Sequence, residues 1–177
     1  LEQGSPSYGS IKVRKCDSDT QPCNKTQANH PQGGASLQGI TFYLYYNGNG
    51  KIYDPYRKKF YDNNTLIEKQ VSDTNGFAAF HNLLLDVEYR VVEIGTNGLV
   101  NASYLLPASQ EDYVKKATIT ESTKTDTWVT FKDDVVRGDL KFVKKDKFTD
   151  EPMANVAFRI ESDTTHEKHI IVSNENG

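Results

Sequence analysis

The chain has 177 residues, of which 21 are Lys or Arg and 24 are Asp or Glu, and its net charge at pH 7 is −3. Because acids and bases are interspersed, the charge pattern argues against a basic groove for nucleic acid and indicates no membrane-binding face. No apolar run reaches the length of a transmembrane helix, and residues 1–4 lack the pattern of a signal peptide, so we expect a segment of a longer protein that does not insert into a membrane.

The opening of the chain is repeated near its end. The first copy begins Gly-Ser-Ile-Lys-Val-Arg-Lys-Cys-Asp at residues 9–17, and the second begins Gly-Asp-Leu-Lys-Phe-Val-Lys-Lys-Asp at residues 138–146. Two further segments return in the same order, 37–44 as 153–160 and 71–76 as 172–177. Self-similarity on this scale predicts tandem domains.

The repeat predicts one complete domain followed by part of another. Since domains commonly have roughly 100 to 200 residues, we expect residues 9–137 to form a complete domain and residues 138–177 to form the N-terminal part of a second domain of the same kind. Residues 1–8 are expected to be a leader that is disordered or derived from expression. A domain of this size buries a sizeable core without a metal, and no cofactor is expected.

The first predicted strand covers residues 9–17, where apolar and charged residues alternate. A polar loop without periodicity follows at residues 18–36. Cys16 and Cys23 bracket the start of this loop, and their spacing permits a disulfide in a secreted protein; a pair of reduced surface thiols is the alternative. Two cysteines and one nearby histidine form too small a ligand set for zinc, so no metal site is predicted.

Six more short strands are predicted along the first copy, at residues 40–46, 66–71, 77–80, 89–94, 117–120 and 127–135. The segment 51–64, rich in Tyr and Lys, is expected to be an exposed excursion, and 109–116 is expected to hold a helical turn. Short antiparallel strands separated by Gly and Asn turns, without helical crossovers, predict an all-β protein. We expect a Greek-key β-sandwich of the transthyretin or immunoglobulin type, with a barrel as the alternative.

Three charged residues share a strand face with apolar neighbours. Period-two geometry groups Lys15 with Ile11 and Val13, Glu93 with Tyr89 and Val91, and Asp133 with Val129 and Phe131. Charged side chains rarely face a core, so three of them on separate strands predict a buried cluster. Burial favours the neutral amine of a lysine and the protonated form of a carboxyl, and these are the reactants of amide formation, with a second acid to transfer protons. The alternative is an ordinary ion cluster, or a lysine whose amine reaches the surface.

An ordered set of motifs resembles a known protein family. Gly-x-Ile-x-Val-x-Lys-x-Asp at residues 9–17 precedes Leu-x-Gly-x-x-Phe-x-Leu at 37–44, Thr-x-Gly-x-x-x-Phe at 74–80 and Tyr-x-x-x-Glu at 89–93. Together they resemble the collagen-adhesin B-type domains of Gram-positive surface adhesins and pilins. The resemblance extends over nearly all of residues 9–137.

This resemblance implies a transthyretin-like β-sandwich with an internal isopeptide bond from Lys to Asn or Asp, assisted by Glu. Lys15 matches the amine, Glu93 the assisting acid and Asp133 the acceptor, although the neighbouring Asp134 leaves the position of the acceptor open. Many relatives have Asn as the acceptor, so Asp implies loss of water instead of ammonia. In the second copy, Lys144 matches the amine and is expected to be unreacted, because its partner strands would lie beyond the end of the sequence.

These observations predict a structural stalk module of an adhesin or pilus-like protein on the surface of a Gram-positive cell. It would contact neighbouring domains of the same protein and be anchored to the cell wall through regions absent from the sequence. An enzyme that acts on an external substrate is not expected, because the Ser and His residues are assigned to unrelated loops. The alternative is a domain that binds a host extracellular-matrix protein or a glycan through the 51–61 loop, with Tyr53, Tyr56, Arg57 and Tyr61 as the contact residues.

Overall fold

The computed structural model describes residues 7–163 and 166–177 and divides the chain into two compact units. Unit 1 is Leu1–Val136 and unit 2 is Arg137–Gly177. In the part of the chain that the structure describes, no helix combines the length and the hydropathy that a membrane span requires.

The described residues of unit 1 form nine strands. In chain order they are β1 (Tyr8–Asp17), β2 (Thr41–Tyr46), β3 (Ile52–Asp54), β4 (Lys59–Tyr61), β5 (Leu66–Val71), β6 (Phe77–Leu84), β7 (Glu88–Ile94), β8 (Val114–Thr118) and β9 (Thr127–Asp133). One sheet has the strand order β6-β1-β9 and a second has the order β5-β2-β7-β8. Side chains from both sheets form one apolar core. The expected all-β sandwich is therefore confirmed.

The strands form where apolar residues alternate with polar ones. In β2, for example, Phe42, Leu44 and Tyr46 are buried between half-exposed neighbours. This alternation gives each sheet one apolar face, and the two apolar faces pack together. Of the expected leader, residues 1–6 lie outside the described residues, whereas Tyr8 already begins β1.

The first and last strands of unit 1 are neighbours and run in the same direction. Strand β1 pairs with β9 in parallel, with Lys15 opposite Phe131 and Asp17 opposite Asp133. The expectation of antiparallel strands throughout is wrong for this pair. A parallel pair needs a long crossover connection, and here nearly the whole unit separates the two strands. Parallel pairing brings the C-terminal ends of β1 and β9 to the same edge of the sandwich.

The segment 51–64 is not an exposed excursion throughout. Strands β3 and β4 pair as an antiparallel hairpin, and Asp54 and Tyr61 at its base are buried. The Tyr61 hydroxyl donates a hydrogen bond of 2.5 Å to Asp54 Oδ2. Such short strands give too little alternation to show which side chains face inward. The helical turn expected within 109–116 is present as α1 (Gln110–Tyr113).

The polar loop after β1 is fastened to the end of that strand. Cys16 and Cys23 are joined by a disulfide. The side chain of Asn29 accepts a hydrogen bond of 2.9 Å from the Asp17 backbone N–H and donates one of 2.8 Å to the Pro22 carbonyl. The loop therefore packs as an ordered cover beside the C-terminal end of β1.

Unit 2 contains a single two-stranded antiparallel hairpin, formed by β10 (Ala157–Glu161) and β11 (Lys168–Val172), among its described residues. Residues 138–144, expected as the counterpart of β1, form no strand. The reason is the lack of partners. Strand β1 is held between β6 and β9, and the described residues of unit 2 contain no counterpart of either.

Despite this difference, the two units share a frame of hydrogen bonds. In unit 1 the Lys15 N–H donates to the Gly76 carbonyl over 2.7 Å, and in unit 2 the Lys144 N–H donates to the Gly177 carbonyl over 2.6 Å. Both glycines have a positive φ, 71° for Gly76 and 77° for Gly177, which glycine adopts without a steric penalty. In unit 1 a Cβ at this position would also lie 2.5 Å from the Lys15 carbonyl oxygen.

A serine occupies the same place in both frames. Ser72 Oγ donates to the Leu37 carbonyl over 2.7 Å and accepts from the Ile40 N–H over 3.0 Å. In unit 2, Ser173 Oγ donates over 2.7 Å and accepts over 2.9 Å from the corresponding groups of Met153 and Val156. The repeated sequence segments thus fold with the same local contacts.

Candidate functional site

The candidate site lies where three strands end in the core of unit 1. Lys15 and Asp133 are on the neighbouring strands β1 and β9, and Glu93 is on β7 in the facing sheet. Each side chain occupies an inward position of its strand, and none of the three residues is more than 1% exposed. The structure therefore brings together the three charged residues that period-two geometry grouped with the core.

The lysine amine contacts the carboxyl group of Asp133. Lys15 Nζ lies 2.9 Å from Asp133 Oδ2, and both side chains are completely buried. The amine also donates a hydrogen bond of 3.1 Å to the Cys16 carbonyl. The neighbouring Asp134 is exposed and accepts a hydrogen bond from the Ser18 hydroxyl. Asp133, and not Asp134, is thus the aspartate that faces the amine.

Burial brings the three ionisable groups toward their neutral forms. It lowers the pKa of Lys15, against the opposing influence of the nearby carboxylates, and raises the pKa of Asp133. Burial, reinforced by the negative charge of Asp133, raises the pKa of Glu93 to about 9. Apart from each other and Lys15, the carboxyl groups of Glu93 and Asp133 have no hydrogen-bonding partner among the described residues. No donor outside this cluster of three stabilises their charged forms among the described residues.

Aromatic rings surround the cluster. Phe42 lies opposite Glu93 in the β2–β7 pair, and its ring centroid is 5.0 Å from that of Phe131. Lys15 Nζ lies 4.7 Å from the centroid of the Tyr104 ring. The site is therefore shielded from bulk solvent, and a low dielectric strengthens the interactions among the three groups.

Two residues beside the site were missed by sequence reasoning. The hydroxyl of Tyr104, which is fully buried, donates a hydrogen bond of 2.9 Å to Asp17 Oδ2. Asp17 follows Lys15 by two positions, so strand alternation gives a signal for its inward position. Tyr104 lies in a loop 87 positions away from Asp17, and no periodicity marks it.

The expected ligand surface on the β3–β4 hairpin is only partly present. Tyr53 and Tyr56 are 47% and 53% exposed. Tyr61 is buried against Asp54, and the Arg57 guanidinium is engaged with the carbonyl oxygens of residues 81 and 82 over 2.9 and 2.8 Å. The inclusion of Tyr61 in a contact surface is therefore wrong, whereas Arg57 is half-buried and held by contacts within the unit.

A serine and a histidine expected in unrelated loops are in contact. The pairing of β1 with β6 shifts register between Gly9 and Ile11, and Ser10 Oγ lies 2.7 Å from His81 Nδ1. The expectation is wrong for this pair, because both residues are in strands. No described carboxylate forms an ion pair with His81, so the pair lacks the acid that orients the base in a hydrolytic triad.

Lys144 has different surroundings from Lys15. Its side chain is only half-buried, and the described part of unit 2 contains no counterparts of β7 and β9, the strands that carry Glu93 and Asp133. Lys144 therefore shares the backbone hydrogen bond of Lys15, but the described part of unit 2 brings no counterpart of Glu93 or Asp133 to it.

Comparison with solved structures finds the Bacillus anthracis TIE protein, with a TM-score of 0.55 and 20% identity over 97% of this chain. The group B streptococcus pilus 2b backbone protein and the major pilin subunit of Bacillus cereus also match, with TM-scores of 0.44 and 0.42, identities of 18% and 21%, and 72% and 73% of this chain covered. The chain spans 25%, 41% and 30% of those three chains.

No protein-family model and no curated protein matches the sequence. The similarity to the TIE protein supports the β-sandwich fold. The structural neighbours include pilin domains of Gram-positive bacteria.

Proposed function

We propose that residues 9–137 form a structural stalk module of a Gram-positive adhesin or pilus-like protein, cross-linked by an isopeptide bond between Lys15 and Asp133 with the assistance of Glu93. The observation that carries this proposal is the contact of 2.9 Å between a buried amine and a buried carboxyl group, with a second buried acid beside them. Residues 138–177 are proposed as the beginning of a second domain of the same type. The protein would lie outside the cell, joined to neighbouring domains and anchored to the wall through other regions.

The chemistry is the condensation of an amine with a carboxylic acid. The uncharged Lys15 amine attacks the carboxyl carbon of protonated Asp133, and a C–N bond forms. Protonated Glu93 donates to the carbonyl oxygen, which stabilises the tetrahedral intermediate and relays a proton from nitrogen to the departing oxygen. The C–O bond then breaks and water leaves, with one hydrogen from the amine and one from the Asp133 carboxyl. Glu93 ends protonated, as it began.

The placement of the bond gives it a structural role. It would join the first strand of the sandwich to the last and close a loop of roughly 120 residues, which in the chain-entropy model stabilises the fold by about 4.7 kcal/mol. Force applied along the chain would pass from β1 to β9 through a covalent bond. The rest of the sandwich would remain folded under load, as a stalk requires.

Intact mass tests the proposal. After reduction of the disulfide, the purified protein should have a mass one water below the sequence value, and fragmentation should yield a branched peptide that joins Lys15 to Asp133. Lys15→Ala should have its full sequence mass. The matched control, Lys144→Ala, should still have lost one water. A wild-type protein of full mass would rule out the cross-link.

A second candidate function is ligand binding by the β3–β4 hairpin. The rings of Tyr53 and Phe60 lie 4.8 Å apart on its outer face, and Phe60 is 65% exposed. Exposed aromatic pairs favour contacts with proteins and sugars. Binding of Tyr53→Ala/Phe60→Ala to extracellular-matrix proteins and glycans should then be weaker than that of Tyr43→Ala, which changes an aromatic residue on the outer face of β2. Equal binding by the two variants would leave only the structural role.

A further inference from the structure

Tyr104 forms part of the wall of the site beside the Lys15 amine. Its ring centroid lies 4.7 Å from Lys15 Nζ, and its hydroxyl donates to Asp17 Oδ2 over 2.9 Å. The condensation of Lys15 with Asp133 uses neither Tyr104 nor Asp17 as a reactant. The contact of the Tyr104 ring with the amine, and the hydrogen bond that holds the ring to Asp17, nevertheless restrict where the amine can lie.

Tyr104 is held in place by its own backbone and by the last strand. Its N–H donates to Asn101 Oδ1 over 3.0 Å, and its carbonyl accepts from the Val100 N–H over 3.0 Å. The next residue, Leu105, donates its N–H to the Asp134 carbonyl over 2.9 Å. The loop that carries the ring is therefore tied to the residue directly after the acceptor aspartate. This fixes the ring relative to Asp133.

Asp17 differs from Asp133 although the two lie opposite each other in the parallel pair. Its carboxylate accepts hydrogen bonds from the Asp19 N–H, from the Gln32 N–H and side chain, and from Tyr104. These donors lower the pKa of Asp17 despite its burial. Asp17 is therefore a charged anchor and a poor electrophile.

We propose that Tyr104, anchored by Asp17, is a positioning residue for the cross-link: its ring holds the Lys15 amine against the carboxyl group of Asp133. The inference rests on the proposed function, since it concerns the rate of that reaction. The ring lies 4.7 Å from Lys15 Nζ while Asp133 Oδ2 lies 2.9 Å from it, so the ring limits the positions that the amine can take beside the carboxyl group. Because effective molarity depends on such orientation, misplacing the amine should slow the reaction.

Several ionisable groups influence the protonation of the amine. Asp133 of β9, Glu93 of β7 and Asp17 of β1 all raise the pKa of Lys15 against the larger effect of burial, and Lys115 of β8 acts on Glu93. The hydrogen bond from Tyr104 to Asp17 weakens the effect of the Asp17 negative charge on the Lys15 amine. Removing the hydroxyl should therefore raise the pKa of Lys15, and removing the Asp17 charge should lower it.

The rate of bond formation is the measurement. Unfolded chains recovered from inclusion bodies are diluted into folding buffers from about pH 5 to about pH 10, and samples are quenched in denaturant and weighed by mass spectrometry. Fluorescence of Trp128 reports folding separately. In the wild type the rate should rise with pH as the amine loses its proton, up to the pH at which Glu93, with its pKa raised to about 9, begins to lose its own proton.

Tyr104→Phe keeps the ring and loses the anchor. We expect roughly threefold slower conversion at neutral pH and a rising limb displaced to higher pH. Asp17→Asn should displace that limb to lower pH. Tyr104→Leu, which removes the ring, should slow conversion on the order of tenfold at an unchanged rate of folding.

Tyr61→Phe is the matched control, because Tyr61 is another buried tyrosine that donates to a buried aspartate, Asp54. It should convert at the wild-type rate with the wild-type pH profile. If Tyr104→Phe and Tyr104→Leu also behave like the wild type, the positioning role is wrong while the cross-link stands. If the wild type never loses water, the proposed function itself fails.

Discussion

In both units the backbone of a lysine is fixed by a hydrogen bond to a glycine carbonyl, from Lys15 to Gly76 and from Lys144 to Gly177. Among the described residues, a second sheet covers the lysine and brings acids to it only in unit 1. Lys15 is fully buried, whereas Lys144 is half-buried beside a lone hairpin. The local sequence repeat thus determines the frame, and the distant strands determine the chemistry.

The same contrast holds for the apolar residues that alternate with each lysine. Ile11 and Val13 are completely buried, whereas their counterparts Leu140 and Phe142 are 71% and 41% exposed. An equivalent pattern of side chains therefore yields a core strand in one unit and no strand in the other. A strand needs partners for its backbone as well as an apolar face.

The largest expected effect separates the two lysines. Lys15→Ala should lower the free energy of unfolding by about 5 kcal/mol, because the closed loop is lost. Lys144→Ala should change it by less than about 0.5 kcal/mol. Urea denaturation followed by the fluorescence of Trp128 in β9 measures both values. Equal losses would mean that the buried lysine forms no covalent constraint.

The second prediction concerns Glu93, which has no counterpart in the described part of unit 2. Glu93→Gln keeps the size of the side chain but cannot transfer a proton, so bond formation should slow on the order of a hundredfold. In the wild type, Glu93 is protonated at neutral pH because its pKa is raised to about 9. The wild-type rate should therefore fall as the pH rises past about 9.

Time-resolved intact mass across this pH range measures the effect. The Glu93→Gln variant should lack the descent at high pH, since its amide does not titrate. A wild-type rate that stays constant through this range would show that Glu93 does not act as the acid.

The two framing serines offer a smaller contrast. Ser72 is 3% exposed, and Ser72→Ala leaves the Ile40 N–H and the Leu37 carbonyl without partners, at a cost of about 2 kcal/mol. Ser173 is half-buried, so water can replace its hydroxyl and the cost should be under about 1 kcal/mol. Hydrogen exchange at the amides of Ile40 and Val156 measures the loss of each serine's hydrogen bond in the Ser72→Ala and Ser173→Ala variants. If both amides lose equal protection, burial does not explain the difference between the two serines.

The smallest effect is expected at a turn. Gly39 has a φ of 82°, and its counterpart in unit 2, Asn155, has a φ of 61°. A Cβ on Gly39 would meet no atom within 4 Å, so only backbone strain opposes a side chain there. Gly39→Asn should cost less than about 0.5 kcal/mol, whereas Gly39→Ala should cost about 1 kcal/mol, because Asn tolerates the left-handed conformation better. Urea denaturation measures the free energy of unfolding of both variants. A Gly39→Asn variant less stable than Gly39→Ala would contradict the prediction.

The sequence supported much of this structure because strand alternation is a local property. It predicted the sandwich and the inward faces of Lys15, Glu93 and Asp133. It did not predict the parallel pairing of β1 with β9, since register between distant strands leaves no local pattern. Tyr104 was missed for the same reason: its contact with Lys15 depends on a loop of irregular structure.

The unit 2 strand was wrongly predicted from a pattern that works in unit 1. Alternation at residues 138–144 matches that of β1, but alternation supplies no hydrogen bonds to a strand edge. Tyr61 was misplaced at the surface because β4 has three residues, too few to display a period.

The position of the disulfide has a further consequence once the isopeptide bond is in place. Cys16 directly follows Lys15, so the small ring closed by Cys16 and Cys23 would lie wholly within the large ring that the proposed bond from Lys15 to Asp133 closes. A protease that cuts any one peptide bond between positions 15 and 133 would then release no fragment. After a cut between the two cysteines, the disulfide and the isopeptide bond would both still hold the two new chain ends to the rest of the domain. In an environment rich in proteases, the domain would survive nicking as a single molecule.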